Sequence, residues 1–157
     1  MGFGPNIRAM TSIGDANAEP DLAVITQVGN LWLYYGDGKS GRAGRKLISS
    51  GWQDHSWLRG PGDFNGDGRP DLISLVHDQL LLHRGTKAGF AAPVTLATGW
   101  ADISSITSVG DFDGDHEADV IAHTNDGRLV LYTGDGRATL TRSATLPGSF
   151  LGTRFAV

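Results

Sequence analysis

Gly14-Asp15, Gly62-Asp63 and Gly110-Asp111 follow one another at equal intervals of about 48 residues, and no other feature of the sequence restricts its fold as tightly. A second landmark keeps nearly the same period: Gly36, Gly85 and Gly134 each follow an apolar run and are evenly spaced. A third, Gly51-Trp52, returns as Gly99-Trp100 after the same interval. Self-similarity at a fixed period means one supersecondary unit used three times, each copy burying its apolar face against the next.

Within each copy, runs such as Asp71-Leu72-Ile73-Ser74-Leu75-Val76 and Asp119-Val120-Ile121-Ala122-His123 are bounded by Gly and Asp clusters, which reads as short strands. A tight turn follows, Gly29-Asn30 or Asp126-Gly127, and then the apolar run. Gly36-Asp37-Gly38 and Gly134-Asp135-Gly136 turn the chain once more, into a strand ending near Trp52, Trp100 or Phe150. With the segment before each Gly-Asp, every copy holds four strands. The expected fold class is therefore all-β: three four-stranded β-propeller-type blades forming a partial propeller. A β-sandwich also accommodates short strands at this spacing, but radial repetition explains identical landmarks and a Greek key does not.

The expected organisation is a single repeat domain over 1–157, with blades at about 5–52, 53–100 and 101–149 and an extra first strand at 150–157. Propellers close with about four to eight blades, so three leave an open arc. The expectation is a homo-oligomer, with two arcs completing one six-bladed ring, or a fragment of a longer propeller.

Composition narrows the partners. Gly supplies 23 of 157 residues, about twice its average share, which favours turns over long helices. Thirteen Lys and Arg against 17 Asp and Glu give a net charge of −4, so a phosphate-seeking surface and a nucleic-acid partner are not expected. No apolar run approaches the roughly 18 residues of a membrane span. The absence of Cys excludes disulfides, thiolate metal sites and cysteine nucleophiles.

The chemistry concentrates in two stretches, 63–71 and 111–119, both reading D-x-[D/N]-x-D-x-x-x-D. Oxygen-bearing side chains at alternate positions of a tightly curled loop converge on one hard cation, and calcium accepts six to eight oxygens at loose geometry. Asp63, Asn65, Asp67 and Asp71 are the expected side-chain ligands in the second copy, with the carbonyl of Arg69. Asp111, Asp113, Asp115 and Asp119 serve in the third, with the carbonyl of Glu117. An EF-hand needs an acidic residue at loop position twelve, where Ser74 and Ala122 stand instead. The alternative is that Asp, Asn and Gly simply make good turns. In the third loop His116 occupies the place of Gly68, and His adopts positive φ less readily. The first copy, Asp15 to Asp21, is shorter than its counterparts and lacks the central ligand, so full calcium occupancy is not expected there.

These loops, their common spacing and the strand opening Asp-[Leu/Val]-Ile after them resemble the FG-GAP and VCBS repeats of bacterial secreted proteins, related to the integrin α-chain propeller. The resemblance implies a seven-bladed propeller in most members, calcium as a structural metal between the first two strands of a blade and distant from the usual ligand face, and an adhesive or binding module often attached to hydrolases. It also implies a secreted or extracellular location, with the export signal not in this chain.

Other motifs carry less. Gly36, Gly38 and Gly41 satisfy G-x-G-x-x-G, but no strand-to-helix context surrounds them, and a Walker loop needs Gly where Leu33 stands. His55, His77, His83, His116 and His123 have no zincin spacing and read as dispersed surface residues, although convergence across blades stays open. Trp52 and Trp100 share one repeat position and are expected to fill the wedges between blades. Trp32, Tyr34 and Tyr35 break the repeat pattern and are the candidate ligand platforms. The expected function is a calcium-binding, non-catalytic module for a protein or carbohydrate ligand. Two alternatives are a lectin with sugar sites at the aromatic blade wedges and an accessory domain of a secreted hydrolase.

Overall fold

The structure is a computed structural model that describes residues 6–15, 20–39 and 42–147. The centre of the first acidic loop and the expected extra strand at 150–157 lie outside the described residues. β1 (Ile7–Asp15), β2 (Pro20–Thr26), β3 (Leu31–Gly36) and β4 (Arg42–Ser49) form the first antiparallel sheet in sequential order. β5 (His55–Gly62), β6 (Asp71–Val76), β7 (Gln79–His83) and, after a two-stranded ribbon of β8 (Gly85–Thr86) and β9 (Gly89–Phe90), β10 (Val94–Ala97) form the second. β11 (Ile103–Gly110), β12 (Asp119–Thr124), β13 (Leu129–Gly134) and β14 (Leu140–Thr145) form the third. Three four-stranded meanders are propeller-type blades, and the chain is all-β. Among the described residues the ribbon occurs in the second blade alone, and it is a feature the sequence reading lacks.

The Gly-Asp landmark has a backbone cause. Strand register slips just before Gly14, Gly62 and Gly110, and these glycines take φ of 81°, 87° and 69°. A bulge closed by a left-handed glycine ends the first strand of each blade and sends the chain into the acidic loop.

Two wedge cores lie between successive sheets. Ile13, Ala23, Ile25, Leu31 and Leu33 of the first sheet meet Leu58 and Leu72 of the second, with Trp52 among them. On the other face of the second sheet Ile73, Leu75, Leu80 and Leu82 meet Ile106, Val120 and Ala122 of the third, around Trp100. Trp52 is 6% and Trp100 3% exposed, so both fill wedges as their repeat position predicts. β6 is buried on both faces, which is why it reads as a nearly continuous apolar run rather than an alternating one. The first strands of the three blades are neighbours, β1 against β5 and β5 against β11. Gly60 on β5 is required there, because a Cβ would stand 2.1 Å from the carbonyl oxygen of Ser12.

Candidate metal centre

The acidic loops join the first and second strands of their blades. In the third blade the backbone curls around Asp111, whose Oδ1 accepts the N–H of Gly114 at 2.6 Å and whose Oδ2 accepts that of His116 at 3.0 Å. Asp113 accepts from Asp115 N at 3.2 Å, and Asp115 from Glu117 N at 2.8 Å. The curl brings carboxylate oxygens of Asp111, Asp113 and Asp115 within 4.8 Å of one another, all three residues being exposed. Oxygens on opposite sides of a calcium ion stand about 4.6–5.2 Å apart at ligand distances of 2.3–2.6 Å, so this donor set fits such an ion. The Asp113 carboxyl is held above its ordinary range by partial desolvation, and the charges of Asp115, Asp119 and Asp111 push the same way against the Asp115 N–H.

The second blade repeats the curl. Asp63 accepts from Asp67 N at 3.0 Å and Gly68 N at 2.6 Å, Asn65 Oδ1 from Asp67 N at 3.0 Å, and Asp67 from Arg69 N at 3.0 Å. Asn65 also donates its side-chain N–H to Asp67 at 3.1 Å. Asp63, Asn65 and Asp67 thus occupy the places of Asp111, Asp113 and Asp115. The fifth residue after Asp63 or Asp111 must be left-handed in both loops: Gly68 has φ 81° and His116 φ 73°. His116 therefore carries a strain that Gly68 does not.

The last aspartate of each loop stands apart from these trios. Asp71 and Asp119 are fully buried, and their oxygens accept backbone N–H groups: Phe64 at 3.0 Å and Gly85 at 2.7 Å for Asp71, Phe112 at 2.8 Å and Gly134 at 3.1 Å for Asp119. Asp21 makes the corresponding bond to Gly36 N at 3.0 Å. This aspartate ties the acidic loop to the end of the third strand in every blade, and burial pushes the Asp71 carboxyl up despite those two N–H bonds. Arg69 and Glu117, expected to lend carbonyls, stand two residues beyond the third carboxylate, each held to it through its own N–H.

The aromatic candidates separate by strand alternation. Trp32 and Tyr34 share the face of β3 turned away from the second blade, where the Arg45 guanidinium stacks 4.6 Å from the Trp32 ring and donates to the Tyr34 hydroxyl at 3.1 Å. Tyr35 points the other way, into a cavity of about 270 Å³ between the first two blades, which Phe90, Arg69 and Lys87 also line.

One cluster emerges that sequence reading missed. His55 Nδ1 and His83 Nε2 both bond Ser74 Oγ, at 2.8 and 2.9 Å, and Trp52 lies against both rings at 4.3 and 4.4 Å. The equivalent places in the third blade hold Ile103, Ala122 and Tyr132, with Tyr132 against Trp100 at 4.8 Å. A polar trio thus replaces an apolar one in the first wedge. Burial, and then the neighbouring His55, depress the His83 imidazole to about 3. Two of the five histidines are therefore an inter-blade cluster and not dispersed on the surface. Superposing the repeats, which sets His83 on Tyr132, is the signal that finds it.

Blades of sequential four-stranded sheets, wedged on shared tryptophans and each opened by an acidic loop, define a propeller-type repeat protein. The model of the FG-GAP-like repeat matches residues 15–74 and again 63–122, the second match displaced from the first by one repeat. The matches cover more than half of the chain, which belongs to the FG-GAP-like repeat family. A search of curated proteins returned no match. No helix among the described residues is long and apolar enough to cross a membrane.

Proposed function

We propose that the chain is a calcium-stabilised, non-catalytic binding module that works outside the cell, with calcium held in the second and third acidic loops and a protein or carbohydrate ligand taken by the blades. The observation that carries it is the Asp111, Asp113 and Asp115 trio, whose oxygens converge to within 4.8 Å. Exposed carboxylates so close repel one another, and a divalent cation removes that cost. The ion's part is structural: it pins the loop that leads from the first strand of a blade into the second. An extracellular setting is supported by the family membership and by calcium's abundance there. The cavity beside Tyr35 is the ligand site favoured by geometry, because aromatic walls and the cations Arg69 and Lys87 line one opening.

Thermal melts with calcium and with chelator test the proposal. Calcium a hundredfold above its dissociation constant adds about 2.7 kcal/mol, which for a chain of this length is a rise of roughly 5–10 °C. Asp67→Ala and Asp115→Ala each reduce that gain. An equal gain in both variants would show that the loops are not the sites.

A further inference from the structure

Three departures from the repeat meet in the wedge between the first two blades. Between the second and third blades the Phe64 ring, 1% exposed, packs 3.4 Å from where a Cβ on Gly134 would stand. At the repeat position of Phe64 the first copy has Ala16, which lies outside the described residues, and at that of Gly134 the second blade has Gly85. The aromatic plug of the second wedge thus has no counterpart in the sequence of the first, and Gly85 lines the cavity of about 270 Å³. The second departure is Tyr35, which points into that cavity where the later copies have Arg84 and Thr133.

The third is the ribbon of β8 and β9. Gly89 takes φ 143°, and a Cβ on it would stand 2.7 Å from Ile48 Cγ2 of the first blade. Lys46, also of the first blade, donates to the Ala88 carbonyl at 3.0 Å. The ribbon therefore leans on the first blade and closes one side of the cavity with Thr86, Lys87 and Phe90. Opposite it stands the end of the second acidic loop, Gly68, Arg69 and Pro70.

The chemistry of this lining is selective. Ile13 and Leu33 form a buried apolar floor, and Tyr35 and Phe90 supply half-buried aromatic walls. In a chain of net charge −4, the described residues that line the cavity include two cations and no carboxylate. Neither Arg69 nor Lys87 enters an ion pair among the described residues. A volume at the lower edge of the roughly 300–1,000 Å³ of small-molecule sites suits a single ring rather than a peptide segment.

We propose that this cavity binds a sugar ring that carries a carboxylate, as in a uronate, with the ring between Tyr35 and Phe90 and the carboxylate on Arg69 and Lys87. The inference rests on the proposed function, which places the ligand beside Tyr35, and adds the ligand's chemical class. A pyranose has apolar C–H faces for aromatic walls and polar edges for the rim. Its carboxylate meets a guanidinium and an ammonium in charge-assisted hydrogen bonds.

The test is a titration of the full chain in calcium, followed through the amide resonances of Gly85, Gly89 and Phe90. The probes are methyl glucuronide, methyl glucoside, acetate and an Asp-Glu peptide. The glucuronide should shift these resonances and bind about tenfold more tightly than each of the other probes. The double variant Arg69→Gln, Lys87→Gln should bring the glucuronide down to the glucoside's affinity. Lys87→Glu, at an exposed position, should narrow the difference by itself, and Tyr35→Ala should weaken both sugars. Equal binding of the glucoside would refute the charge requirement, and equal binding of acetate or the peptide would refute the sugar. No response to the glucuronide, or a preference that survives both cation variants, would overturn the site. A calcium-dependent rise in melting temperature without glucuronide binding strikes this inference alone. Glucuronide binding as expected, without that rise, would strike the metal reading and leave this one standing.

Discussion

Lowering the pH from 8 to 5 should weaken the seam between the first two blades, and His83 sets the amount. Its imidazole is 3% exposed and depressed to about 3, first by burial and then by His55, against an ordinary value of about 6.5. A histidine whose folded value lies below its unfolded one contributes its full stability above pH 6.5. That contribution is lost as pH falls from 6.5 toward 3, because only the unfolded chain takes up the proton. At pH 5 the loss is about 1.5 units at 1.36 kcal/mol each, or about 2 kcal/mol, a thirtyfold change in the folding equilibrium. The figure depends little on the folded value, since any value below about 4 gives the same loss at pH 5. Burial depresses His55 too, with Asp54 opposing and Arg8 assisting, so it adds in the same direction. The assay is urea unfolding followed by tryptophan fluorescence at pH 5, 6, 7 and 8 in saturating calcium. The reference is the triple variant His55→Ile, Ser74→Ala, His83→Tyr, which installs the apolar set of the next wedge. Between pH 8 and pH 5 the wild type should lose more stability than this variant, by about 2 kcal/mol. Parallel losses in the two proteins would refute the assignment of the cluster as a neutral, buried pair.

Two further substitutions probe the backbone. His116→Gly should relieve the left-handed strain at φ 73° and stabilise the third loop by up to about 1 kcal/mol, read as a rise in melting temperature in calcium. Gly60→Ala should cost about 1–3 kcal/mol in urea unfolding, because its Cβ would stand 2.1 Å from the Ser12 carbonyl oxygen and force β1 and β5 apart.

The repeat was legible because its landmarks are backbone necessities. Gly14, Gly62 and Gly110 close bulges that need a left-handed residue, and Trp52 and Trp100 fill wedges of one shape. Less was legible where one residue type serves two purposes. The pattern of alternating aspartates looks uniform, yet Asp71 and Asp119 are buried caps for backbone N–H groups while Asp111, Asp113 and Asp115 face solvent together. Tyr34 and Tyr35 are adjacent in sequence and opposite in space, which period two requires of any strand. The ribbon Gly85–Phe90 gives no sign of itself, because Gly-Thr-Lys-Ala-Gly reads equally well as a plain turn. It is fixed by tertiary contact: Lys46 reaches across to the Ala88 carbonyl at 3.0 Å.

Calorimetric titration of the chelator-treated protein with calcium addresses the metal most directly. Two ions should bind per chain, and Asp63→Ala or Asp111→Ala should each remove one of them. A titration with no binding at millimolar calcium, or with both substitutions leaving the stoichiometry intact, would contradict the account.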